Sequence, residues 1–119
     1  QRPPVTPGDF RRIAIGLPEV AESMHFDVPD FRVRGKILGS LGEGAKGRGV
    51  IKLTREQQEM MCEAEPAMFA PVPGAWGLKG WTHVVLAAAD EAALKSALIA
   101  AWRDVAPKRL AALYPEPLA

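Results

Sequence analysis

The sequence predicts an α+β fold, a two-layer sandwich in which an antiparallel sheet carries helices packed on one face. Three observations point there. Apolar spacing is helical near the start, alternates through the middle and is helical again near the end. The strand candidates follow one another across short turns, the connectivity of antiparallel pairs. The chain has 119 residues, 48% of them hydrophobic and 24% charged, the balance of one globular domain with one core. Residues 1–119 are read as one domain, with 1–5 and 115–119 as irregular tails.

Thr6 before Pro7 starts the first helix, with a capping hydroxyl and a preset φ. Phe10, Ile13, Ala14 and Leu17 follow at helical spacing, and Pro18 stops it. Ser23 to Phe26 reads as a short strand and Asp27-Val28-Pro29-Asp30 as a turn. Phe31, Val33 and Gly35 then alternate with Arg32, Arg34 and Lys36, as in a strand with one wet face. Lys36–Leu41 and Arg48–Leu53 are further strands, joined by a Gly- and charge-rich loop that makes a hairpin tip. Thr54-Arg55-Glu56-Gln57 is a capping box opening a helix to about Ala64, with Met60 and Met61 as its expected core contacts. Met68–Val72 and Trp81–Ala87 read as strands, and Pro71–Gly77 as irregular. Asp90 caps the longest helix, whose Leu94, Leu98, Ala101, Trp102 and Val105 share one face. Pro107 ends it and opens a short last helix.

Several function classes are excluded by what the residues lack. No run of eighteen apolar residues exists, so no membrane span is expected. The opening Gln1-Arg2-Pro3-Pro4 carries no apolar leader, and the lone Cys62 suits a reducing compartment, so a cytoplasmic location is expected. His25 and His83 have no partner at metal-ligand spacing, so no metal and no cofactor are expected. Gly42-x-Gly44-x-x-Gly47 matches a dinucleotide fingerprint in letters only. That fingerprint works by opening a helix onto the pyrophosphate, and a strand follows here. Ser23, Ser40 and Ser96 lie in no nucleophile context, and no catalytic set emerges, so the chain is read as non-enzymatic.

The run His25-Phe26, then Pro29-Asp30-Phe31-Arg32-Val33-Arg34-Gly35-Lys36-Ile37-Leu38, resembles the segment that marks the MmcQ/YjbR-like family. Leu17-Pro18-Glu19-Val20, Ile51-Lys52-Leu53-Thr54 and Gly80-Trp81-Thr82 resemble it too, so the likeness runs from about Asp9 to Leu113. It implies a frataxin-like or double-wing α/β topology, and the family's usual label, DNA-binding protein. The chain departs from the family pattern before the late tryptophan strand. It reads Ala70-Pro71-Val72-Pro73-Gly74-Ala75-Trp76 there, not a Tyr/His-Met-Asn-Lys-type segment.

Charge supplies the functional expectation. Between Phe31 and Arg55 stand Arg32, Arg34, Lys36, Lys46, Arg48, Lys52 and Arg55 against Glu43 alone, a local charge of +6 in a chain of net +1. In an extended segment Arg32, Arg34 and Lys36 share a face. The expectation is a DNA partner held weakly through phosphates by Arg32, Arg34, Lys36, Lys46 and Arg48, with Trp76 as a stacking residue. The alternative is a protein-interaction domain of unknown partner that uses the Pro/Trp loop 71–81. The bland counterpart is a solvated face neutralised by acids such as Glu56, Glu59, Glu63 and Glu65.

Overall fold

A computed structural model describes residues 4–42 and 46–114. Helix α1 (Pro7–Ile15) leads into β1 (Val20–His25), β2 (Val28–Val33), β3 (Lys36–Ser40) and β4 (Arg48–Lys52). Then come α2 (Arg55–Ala64), β5 (Phe69–Pro71), a four-residue α3 (Ala75–Leu78) and β6 (Trp81–Val85). A 3-10 turn at Leu86–Ala88, the long α4 (Glu91–Val105) and α5 (Lys108–Ala112) complete the described chain. The six strands form one sheet in the order β1-β2-β3-β4-β6-β5, every neighbouring pair antiparallel.

All three expected capping residues act as caps. Thr6 Oγ1 accepts from Asp9 N–H at 3.1 Å while the Asp9 carboxylate accepts from Thr6 N–H at 3.0 Å. Thr54 and Gln57 make the same reciprocal pair at the start of α2. Asp90 accepts from Ala93 N–H at 2.8 Å at the start of α4.

The turns fall elsewhere than expected. The first hairpin turns at Phe26-Asp27, with φ of 49° and 62°, and Val28–Val33 is strand throughout. The second turns at Arg34-Gly35, with φ of 51° and 83°. Positive φ at both central residues makes these type I′ turns, whose twist matches the strands they join. Neither Phe26-Asp27 nor Arg34-Gly35 is a common turn dipeptide, so cross-strand pairing decided the register. β3 carries a bulge: Phe31 faces Gly39 and Arg32 faces Ile37, with Leu38 the extra residue.

Helices α1 and α4 cover one face of the sheet. Phe31, Val33, Leu38, Ile51 and Val84 are fully buried beneath them with Leu94, Leu98 and Trp102. Trp102 also donates from Nε1 to Pro18 O at 2.9 Å, so the expected core tryptophan satisfies its polar atom as well. Phe10 of α1 lies on a window made by Gly39 and Gly49. A Cβ at Gly49 would stand 2.5 Å from Phe10 Cε2, so no larger residue fits. Val5, assigned by sequence to an irregular tail, has no regular structure but is buried, and its N–H donates to Ala89 O. The residues 1–3 and 115–119 of the expected tails lie outside the described residues.

Helix α2 corrects a core assignment. Met60 is 61% exposed and Met61 half-buried, while Gln58 is 1% exposed. Gln58 Nε2 lies 3.0 Å from Gly77 O, 3.0 Å from Trp81 O and 3.1 Å from Thr82 Oγ1. This amide stitches α2 to the segment carrying α3. Gly77 closes the join, since a Cβ there would stand 2.0 Å from Val72 O.

Candidate functional site

The sheet face away from α1 and α4 is where functional side chains can gather. Directly opposed residues project to the same side, so the register names its occupants. Ser40 opposes Val50 and Val50 opposes His83 across β3, β4 and β6. Asp30, Ser40, Ile37, Val50, Trp81 and His83 line a pocket of about 410 Å³ on this face. Trp76 of α3 stands at its rim, 60% exposed and edge-on to Trp81 with ring centroids 6.2 Å apart. Lys79 Nζ sits 5.5 Å from the Trp76 ring centroid, within cation–π range.

The pocket walls are mainly apolar, with polar atoms from Asp30, Ser40 and His83. Asp30 is only 5% exposed, yet its carboxylate is fully matched. Arg32 Nε donates to Oδ1 at 3.0 Å and Nη2 to Oδ2 at 3.1 Å, a bidentate pair. That hydrogen bonding to Asp30, reinforced by its charge, holds the Arg32 guanidinium further above its ordinary range. The pair offers a partner a neutral, oriented dipole, neither a lone base nor a lone cation.

The six residues expected to touch nucleic acid do not share one plane. Arg32 opposes Ile37 and lies on the open face, but Lys36 opposes buried Val33 and so belongs to the helix-covered side. Arg34 sits in the type I′ turn, outside the alternation that was expected to align it. Its Nε and Nη2 donate to Glu19 at 2.6 and 3.0 Å, which raises the arginine's affinity for its proton and lowers that of Glu19. Arg48 opposes Val85 on the open face and is half-buried, and Lys46 is exposed just before β4. Trp76 alone of the six lines the pocket. Glu43 and Gly44 of the hairpin tip lie outside the described residues.

Asp30 and His83 were not singled out for binding by the sequence. Asp30 had a detectable signal: it precedes Arg32 by two positions, the spacing that puts both on one side of a strand. His83 had none, because its place depends on β6 pairing with β4 from far along the chain. Cys62 is half-buried, and burial pushes its thiol up, the opposite of an activated nucleophile. Among the described residues no group of His, Cys, Asp and Glu is placed to hold a metal ion. Among them, too, no helix is long and apolar enough to cross a membrane.

A family model described as YjbR matches residues 15–104. The crystal structure of Deinococcus radiodurans protein DR2400, a DUF419 domain, is similar to the chain with a TM-score of 0.70 and 23% identity. That match covers 87% of this chain and 80% of that one. No curated protein matches.

Proposed function

The chain belongs to the YjbR family, and from that premise we propose that it is a non-enzymatic cytoplasmic binding module whose contact surface is the open sheet face. Its Pro/Trp loop, residues 71–81, takes an apolar or aromatic side chain of a protein partner into the pocket. One observation carries this reading: Trp76, 60% exposed, stands at the rim of an apolar recess and is braced by Trp81 and Lys79. An exposed aromatic braced from two sides gives contact area at low entropic cost. Asp30, fixed by Arg32, supplies polar atoms at the wall that orient what enters.

Phosphate-directed DNA binding is the second reading, favoured by the local charge of +6. Arg32 and Arg34 each face a carboxylate, so a phosphate approaching them meets Asp30 or Glu19 as well. Five phosphate contacts would give a log–log salt slope of roughly −4 to −5 on duplex DNA.

The test titrates N-acetyl-tryptophanamide and N-acetyl-leucinamide into the protein and follows the three indole N–H signals. The expected result is saturable movement of the Trp76 and Trp81 signals in the millimolar range. The buried Trp102 should stay still, and Trp76→Ala should abolish the response. Equal movement of all three indoles would overturn the reading. So would duplex binding far tighter than millimolar at low salt that Arg34→Glu with Arg48→Glu destroys.

A further inference from the structure

The two ends of the sheet are treated differently. β5 is flanked by α2, whereas β1 has no strand beyond it among the described residues. Type I′ hairpins close on a hydrogen-bonded pair, so His25 and Val28 exchange bonds, and by alternation so do Ser23 with Asp30 and Ala21 with Arg32. Met24 with Pro29 and Glu22 with Phe31 are then the non-bonded pairs, with backbone groups turned away from each other. Two observations agree. Pro29 O accepts from Leu41 N–H at 2.9 Å, toward β3, and Val20 N–H donates to Leu17 O. Glu22 and Met24 therefore present N–H and C=O outward along the edge.

This edge lacks the usual protections. It has no proline and no bulge, and its one acidic side chain, Glu22, is held by Arg11 at 2.6 Å. Apolar side chains cluster here as well. Met24 is 62% exposed and Phe26 88% exposed, the latter on a positive φ that is unfavourable for an aromatic residue.

We propose that β1 is a self-association edge that pairs antiparallel with β1 of a second copy about a two-fold axis through Ser23. Opposed residues must come from the same sheet face, so the axis passes through a residue. An axis at Glu22 would oppose two like charges and leave Met24 facing Val20, whose N–H is already used. An axis at Met24 would set Glu22 against the turn residue Phe26. An axis at Ser23 places each Glu22 opposite a Met24, so all eight outward groups form four hydrogen bonds. Ala21 then faces His25, and the two sheets become one continuous sheet. The pocket rimmed by Trp76 reaches as far as Asp30 on β2 but takes no residue of β1, so this inference stands apart from the functional reading above.

In a Cys62→Ser background, Ser23→Cys places two thiols across a non-hydrogen-bonded pair. Its Cα separation of about 4.5 Å suits a disulfide. Mild oxidation is expected to give a covalent dimer of Ser23→Cys but not of Ala21→Cys, whose thiols would lie roughly 13 Å apart along the strands. Sedimentation equilibrium at up to millimolar protein provides the second measurement. Met24→Glu, facing Glu22 of the other copy twice over, is expected to weaken the dimer about tenfold, while Met24→Lys keeps or strengthens it. Because Met24 is exposed, both variants retain the fold, checked by circular dichroism. A wild-type protein that stays monomeric at millimolar concentration would overturn the proposal. Equal cross-linking of the two cysteine variants, or equal weakening by Glu and Lys, would do the same.

Discussion

Replacing Gln58 with Met keeps the buried volume and deletes the amide. Two N–H groups of Gln58 now serve three acceptors: Gly77 O, Trp81 O and Thr82 Oγ1. Thr82 loses least, because its hydroxyl still donates to Gly80 O at 3.0 Å. The two carbonyls are left without that donor. Neither carbonyl is stranded, since Gly80 N–H still donates to Gly77 O and Val72 N–H to Trp81 O at 3.0 Å each. The loss is that of the bonds themselves, about 1 kcal/mol each, together with the Oε1 acceptor of Arg55, about 2–4 kcal/mol in all. For a domain of this size that corresponds to a fall in Tm on the order of 10 °C. Thermal unfolding followed by far-UV circular dichroism measures it. Since the same amide ties down the segment behind Trp76, the response of the Trp76 indole to N-acetyl-tryptophanamide should weaken in parallel. Gln58→Glu is the companion variant: an ionised carboxylate would face the two carbonyls with no proton to give, but it would keep Arg55, whose Nη1 donates to Gln58 Oε1, as a partner. It should be destabilised at neutral pH and recover partly in acid, where the carboxyl donates once. A Tm within about 2 °C of wild type for both variants would refute the assignment of this amide as a structural tie.

Three other perturbations have defined outcomes. Gly49→Ala drives a methyl into the Phe10 ring, 2.5 Å away, and should cost about 1–3 kcal/mol in chemical denaturation. Asp9 and Glu19 are held below their ordinary values, chiefly by hydrogen bonds from Thr6 N–H and Arg34 respectively. A depressed folded-state value gives stability that is present above the unfolded carboxylate range and lost as pH falls through the folded value. The acid limb of a Tm-against-pH curve should therefore flatten in Asp9→Asn and Glu19→Gln. Cys62, pushed up by burial, should alkylate with iodoacetamide more slowly at pH 8 than a free cysteine peptide, and at the peptide's rate once unfolded.

The helices were readable because their signals are local. Thr6, Thr54 and Asp90 cap helices within three residues of themselves, so letters alone suffice. The sheet was readable as a set of strands but not as a register. Val28 and Pro29 suggest a turn, yet pairing with β1 keeps them extended and moves the turn to Phe26-Asp27, which carry no turn signature. That shift, together with the Arg34-Gly35 turn, also scattered the arginines and lysines expected on one plane. Composition gives the sum of charges, but register and ion pairing decide where they act. Asp30 cancels Arg32 from two positions away, whereas Glu19 reaches Arg34 from just before β1, a pairing that requires the folded hairpin. The pocket was least visible, since Asp30, Val50, His83 and Trp76 come from four separated segments that meet only after the sheet has formed.

Because Gly39 and Gly49 have no side chains, a single thickness of backbone divides the Phe10 ring from Ser40 and Val50 on the opposite side. Both glycines lie within reach of the ring's magnetic field. Anything that settles against Val50 and nudges these strands will alter that field at their amides, so the protein carries a built-in spectroscopic reporter that watches the binding surface from behind.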